Sequence, residues 1–101
     1  MSAFPPLPAE LTIYAVTELR ERWLAALDAA PPDGPVELDA AAVVEVDAAG
    51  LQLLVALSRR LGADGRALRL AAPSGRLREA CAALGLAAML DPADRPEEIP
   101  A

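Results

Sequence analysis

Residues 43–62, VVEVDAAGLQLLVALSRRLG, carry the clearest secondary-structure pattern in this sequence. The apolar opening of this stretch, residues 43–46, is typical of the end of a buried strand. A helical spacing of apolar side chains follows from about Gly50 to Leu61. Between the two lies Asp47, whose carboxylate can accept hydrogen bonds from the free N–H groups two or three residues on. We therefore predict a strand that runs directly into a helix capped by Asp47.

Strand and helix patterns also alternate before this stretch. Residues 10–14 (ELTIY) alternate apolar and polar side chains, which indicates a strand. A helix is predicted from Val16, with Thr17 as its N-cap, up to the proline-rich turn at Pro31. The segment VELD, residues 36–39, predicts the next strand, and residues 43–46 continue this strand or form its end. The three alanines between them fit either a strand or a helix.

The same alternation continues after it. Residues 66–72 (RALRLAA) predict another strand. Ser74 is placed to cap a last helix, and Gly85 fits the left-handed position that ends one. Residues 88–90 are candidates for a short final strand. The inward side chains of the last helix are predicted to be Leu77, Ala80, Cys81 and Leu84.

This order of elements favours an α/β fold with a mainly parallel sheet covered by helices. The 101 residues suffice for one core. We expect a single domain over residues 1–90, in which the prolines make residues 1–9 an irregular edge. Residues 91–101 are rich in proline and acidic residues and are expected to form a tail.

Composition excludes several classes of function. With 9 Lys+Arg against 15 Asp+Glu, the net charge is −6, which argues against nucleic-acid binding. The chain has no His and all its basic residues are Arg, so we expect no enzyme, no cofactor and no metal site. A catalytic group of Asp39, Glu45 and Asp47 is the rival hypothesis, but it lacks a basic or nucleophilic companion. The lone Cys81 and the absence of a long apolar run predict a cytoplasmic protein without direct membrane insertion.

The central helix carries a candidate surface. Its predicted inward arc consists of Leu51, Leu54, Val55, Ser58 and Leu61. Leu53 falls outside this arc, and the side chains around it are Ala49, Gln52, Ala56 and Arg60. Two interpretations stay open: ordinary exposure of one leucine, or a surface of small residues on which a partner sits.

The start of this helix has two interpretations as well. The small residues Ala48, Ala49 and Gly50 leave the first N–H groups unshielded, and the helix dipole there favours negative charge. An acidic group of a partner could bind these N–H groups, or Asp47 could already satisfy them as the cap.

Residues 46–54, Val-Asp-Ala-Ala-Gly-Leu-Gln-Leu-Leu, resemble the central motif of STAS domains. This is the fold of bacterial anti-sigma-factor antagonists and of sulphate-transporter cytoplasmic domains. Their motif is a strand ending in Asp, a phosphorylatable Ser or Thr, a small residue, Gly-Leu and an apolar helix. The resemblance covers about residues 7–90. It implies four or five mostly parallel strands, three or four helices and a non-enzymatic protein.

The resemblance also implies a partner-binding segment from Asp47 to Leu53 and along the helix. Ala48 stands at the phosphoacceptor position, and an alanine cannot accept phosphate. We therefore expect a permanently binding-competent form without the usual phospho-switch. Leu53→Glu or Ala49→Arg should then abolish partner capture at nearly unchanged stability. The predicted contact residues are Asp47, Ala48, Ala49, Gly50, Gln52, Leu53, Ala56 and Arg60.

Two kinds of partner fit this resemblance. In the antagonist pathways the partner is an anti-sigma factor that is also a serine kinase with a histidine-kinase ATPase fold. The segment Ala-Gly-Leu-Gln-Leu-Leu, residues 49–54, is most similar to the motif of stand-alone STAS proteins associated with bacterial chemotaxis signalling. The alternative is a small STAS subunit bound to the ATPase of a phospholipid-trafficking ABC transporter, and we rank signalling first.

Overall fold

A computed structural model of the chain describes residues 4–29 and 33–86. Within these residues it has three α-helices and four short strands. The predicted strand at 88–90 and the predicted tail at 91–101 lie outside the described residues. The elements in chain order are β1 (Glu10–Leu11), α1 (Val16–Ala29), β2 (Val36–Asp39), β3 (Glu45–Val46), α2 (Ala48–Ala63), β4 (Leu68–Ala71) and α3 (Gly75–Ala83).

The fold is mixed α/β with parallel strand pairing, as predicted, but the described strands form two pairs rather than one continuous sheet. β1 pairs with β3, and β2 pairs with β4. The N–H of Leu7 donates to the carbonyl of Asp39 at 2.8 Å and links the two pairs. Pro6 and Pro8 flank Leu7 and have no N–H to donate, so the link does not extend into a regular ladder.

β1 is shorter than the predicted strand at 10–14. The chain turns after Leu11, and the N–H of Ala15 donates to the carbonyl of Thr12 at 2.9 Å. This turn leaves Tyr14 94% exposed. The assignment of Thr17 as N-cap is wrong, because α1 already begins at Val16 and the carbonyl of Ala15 accepts the first helical hydrogen bond.

The core lies between the strands and the helices. α2 buries Leu51, Leu54 and Leu61 as predicted. It also buries Leu57, which the predicted arc missed, whereas Val55 and Ser58 of that arc are half-buried. The physical reason is that α2 packs against both α1 and β4, which turns its buried face toward Leu57.

α3 confirms most of the predicted capping. The Oγ of Ser74 accepts a hydrogen bond from the N–H of Leu77 at 3.1 Å, and Gly85 has φ +71°, the left-handed conformation predicted for it. Cys81 is fully buried, and burial raises the pKa of its thiol. Leu84 was predicted to face inward and is instead 58% exposed, because α3 ends at Ala83 before Leu84 can join the buried face.

Candidate partner-binding site

Asp47 joins β3, β1 and α2. Its Oδ1 accepts a hydrogen bond from the N–H of Gly50 at 2.9 Å, which confirms the predicted N-cap. Its Oδ2 accepts from the N–H of Ile13 at 2.9 Å, a bond that the sequence did not predict. Hydrogen bonds from Gly50 first and then from Ile13 lower the pKa of the Asp47 carboxyl. The cap therefore fixes the start of α2 to the end of β1 and already engages the N–H of Gly50.

Gly50 lies in the first turn of α2, buried against β1. A Cβ built on it would overlap the carbonyl oxygen of Leu11 and lie 2.7 Å from its carbonyl carbon and 2.8 Å from its Cγ. Only glycine permits this close approach. Gly50 is among the contact residues predicted from the sequence, but the structure turns it inward. It can therefore position the contact surface without being part of the exposed face.

The exposed contact candidates form one row on α2. Residues spaced by four lie next to each other along a helix. We call this row the outer ridge, and its members, all exposed, are Ala48, Gln52, Ala56 and Arg60. Ala49 lies beside the ridge and is half-buried. Two of its four members, Ala48 and Ala56, have short side chains, which leave the helix backbone open to a close approach.

Leu53 was predicted to be exposed, but the structure buries part of its side chain. It is half-buried and packs against the core because α1 lies beside α2 at this point. A substitution of Leu53 therefore changes stability as well as surface, and Leu53→Glu is not a clean test of binding.

Two grooves flank the outer ridge. The α1–α2 groove has a volume of about 200 Å³. The second groove, between α2 and the residues that follow α3, has a volume of about 650 Å³. Ala56 lines both of them. The predicted contact residues do not include Trp23 and Leu24 of the first groove or Leu84 and Leu86 of the second. Their positions beside α2 depend on tertiary packing.

Two of the three acidic residues in the rival catalytic hypothesis have structural uses. Asp39 accepts a hydrogen bond through Oδ1 from the N–H of Ala41 at 3.1 Å, and Asp47 holds two backbone N–H groups. Over residues 4–29 and 33–86, no three His, Cys, Asp or Glu side chains cluster as a metal site would require. In the same part of the chain, no helix has the length and apolar character needed to cross a membrane.

Comparison with known proteins identifies the family. The family model described as "Mlab, STAS domain" matches residues 7–91, most of the chain. No curated protein and no solved structure matches significantly. STAS domains are in general non-enzymatic domains that mediate protein–protein interactions. The match spans the strand–Asp47–helix unit described above, and the chain belongs to the STAS domain family.

Proposed function

We propose that this chain is a bacterial regulatory domain of the anti-sigma-factor antagonist type, which binds a signalling protein through Asp47–Leu53 and the outer ridge. The observation that carries the proposal is the exposed row of Ala48, Gln52 and Ala56, which follows directly on the rigid cap at Asp47. The methyl groups of Ala48 and Ala56 have no rotamer freedom to lose, so a partner can pack closely against the helix at low entropic cost. Sigma-factor control and chemotaxis signalling are the pathways that fit.

The position of Ala48 supports binding without a phospho-switch. Ala48 is the first residue of α2 and is exposed next to the Asp47 carboxylate. A phosphate there would add about two negative charges beside Asp47 and bulk at the ridge. The methyl group of Ala48 offers no oxygen for this modification, so we propose that abundance or the state of the partner controls binding.

Enlarging the outer ridge should abolish partner capture. Gln52→Arg and Ala48→Tyr each place a long side chain where the partner packs, and we expect affinity to fall about a hundredfold. Both positions are exposed, so the unfolding midpoint should stay within a few degrees. The measurement is affinity capture from a lysate of the source cell, identification of the captured protein, and titration with that purified protein.

The matched control is Ala25→Arg, an equally exposed position on α1 that lines neither groove. It should capture the partner as the wild type does. Wild-type capture by both ridge variants would contradict the proposed surface. A captured serine kinase or anti-sigma factor supports the signalling function, whereas the ATPase of a phospholipid-trafficking ABC transporter would establish the alternative.

Wild-type protein should take up no phosphate from a captured kinase and ATP. Ser74 holds the N–H of Leu77 as a cap and Ser58 is half-buried, so neither replaces the missing hydroxyl. Ala48→Ser restores an exposed hydroxyl and should become phosphorylated by such a kinase. Mass spectrometry of the intact chain measures both results, and stoichiometric phosphate on wild-type Ser58 or Ser74 would show that the switch has moved rather than vanished.

A further inference from the structure

The α1–α2 groove has an apolar floor. Trp23 and Leu57 are buried in it, Leu53 is half-buried, and Leu24 remains 41% exposed at its edge. Its volume of about 200 Å³ is below the range of roughly 300–1,000 Å³ that is usual for small-molecule sites. The groove therefore suits one or two aliphatic side chains from a protein segment better than a metabolite.

Two arginines stand at the rim of this groove, Arg20 from α1 and Arg60 from α2. Both are exposed, and neither forms an ion pair within residues 4–29 and 33–86, where the ion pair observed joins Arg22 to Glu18 at 2.7 Å. The residues one helical turn from Arg20 are uncharged, whereas Asp64 lies one turn after Arg60, outside the groove lining. The described residues that line the groove include no acidic side chain. A chain with net charge −6 thus presents a locally positive rim around an apolar slot.

We propose that the α1–α2 groove binds an acidic amphipathic helix of the partner, with a large apolar side chain in the slot and carboxylates against Arg20 and Arg60. Guanidinium groups pair well with carboxylates, and helices commonly dock into grooves through apolar anchors. The opposite charge pattern, a basic helix, would meet like charge at both rims.

This inference deepens the proposed function, since Ala56 and Arg60 belong to both the groove and the outer ridge. It names the chemistry of the partner segment, and it rests on the proposed function only for the identity of that partner. A test with synthetic peptides separates this inference from the proposed function. If the ridge variants do not affect partner capture, the proposed function is wrong, but the measured binding of peptides to the groove is still valid.

The test uses Trp23, the single tryptophan of the chain, as a fluorescent probe of the groove floor. The full chain is titrated with helical peptides of about 20 residues that carry leucines one turn apart, flanked by Glu, Gln or Lys in three matched versions. We expect the Glu peptide to shift the Trp23 emission and saturate in the micromolar range. The Lys peptide should bind at least about tenfold more weakly.

Charge reversal makes the test specific. The double variant Arg20→Glu/Arg60→Glu should prefer the Lys peptide, whereas Arg59→Glu, next in sequence but outside this groove, should keep the wild-type order. Equal binding of the three peptides, no saturation by any of them, or an unchanged order in the double variant would overturn the proposal. Sedimentation analysis of the free chain completes the test. A dimer that dissociates on the substitution Leu24→Asp would show that a second copy of the chain occupies the groove, and this would overturn the proposal.

Discussion

Gly50→Ala is expected to lower the free energy of unfolding by about 3 kcal/mol or more. The added methyl group would overlap the carbonyl oxygen of Leu11, a backbone atom that cannot rotate away as a side chain would. Relief requires α2 to move off β1, and this would stretch the hydrogen bonds that Asp47 makes to Gly50 and Ile13. The defect therefore spreads from one methyl group to the whole start of α2.

Gly62→Ala is the matched control in the same helix. Gly62 is exposed within α2, and a Cβ there would meet nothing within 4 Å. Because alanine favours helix over glycine, this variant should be about 0.5–1 kcal/mol more stable than wild type. Urea unfolding followed by circular dichroism measures both changes. A Gly50→Ala protein within about 1 kcal/mol of wild type would contradict the close approach of α2 to β1.

Asp47→Ala should lower the unfolding midpoint by several degrees, because two backbone N–H groups lose their acceptor at once. Asp47→Asn should fall between this variant and wild type. Its amide oxygen can still cap α2 at Gly50, but its NH₂ group then faces the N–H of Ile13, and two donors cannot bond to each other. Thermal unfolding at neutral pH compares the midpoints of the three proteins. An Asp47→Asn variant with the midpoint of the wild type would show that the hydrogen bond from Ile13 does not contribute to stability.

The contribution of Asp47 should also depend on pH. Hydrogen bonds from Gly50 and Ile13 lower the pKa of this carboxyl in the folded state below its ordinary value of 3.8. The unfolded chain therefore takes up the proton first as the pH falls. The stabilisation is fully present above the ordinary pKa and is lost as the pH drops through the folded-state pKa.

The midpoint difference between wild type and Asp47→Asn should accordingly be largest near neutral pH and shrink below about pH 4. The control is Asp28→Asn on α1, whose exposed carboxylate forms no hydrogen bond within the described residues. Its difference from wild type should stay small throughout. A difference for Asp47→Asn that is constant from neutral to acid pH would contradict the charged cap.

Much of the candidate site could be predicted from residues close together in the chain. An Asp before small residues and a helical apolar pattern predicted the cap at Asp47, and the four-residue spacing of Ala48, Gln52 and Ala56 places them in one exposed row. These features depend on side-chain chemistry and helical period, which do not change with tertiary packing.

Other features could not be predicted in this way. They are the hydrogen bond from Ile13 to Asp47, the two grooves and the burial of Gly50. The bond from Ile13 to Asp47 joins residues far apart in the sequence, and the half-burial of Leu53 requires α1 beside α2. Periodicity shows that a helix has an apolar face, but it does not show which neighbour covers which residue.

The α/β alternation and the caps at Asp47 and Ser74 could be predicted from the amino-acid sequence. Each follows from chemistry within a few residues. Three features became visible only in the folded chain: the strands divide into two pairs, Gly50 faces β1, and arginines from two helices flank one apolar groove. The reason is that packing between distant segments is set by the shapes and volumes that meet in three dimensions, which no local pattern of residues records.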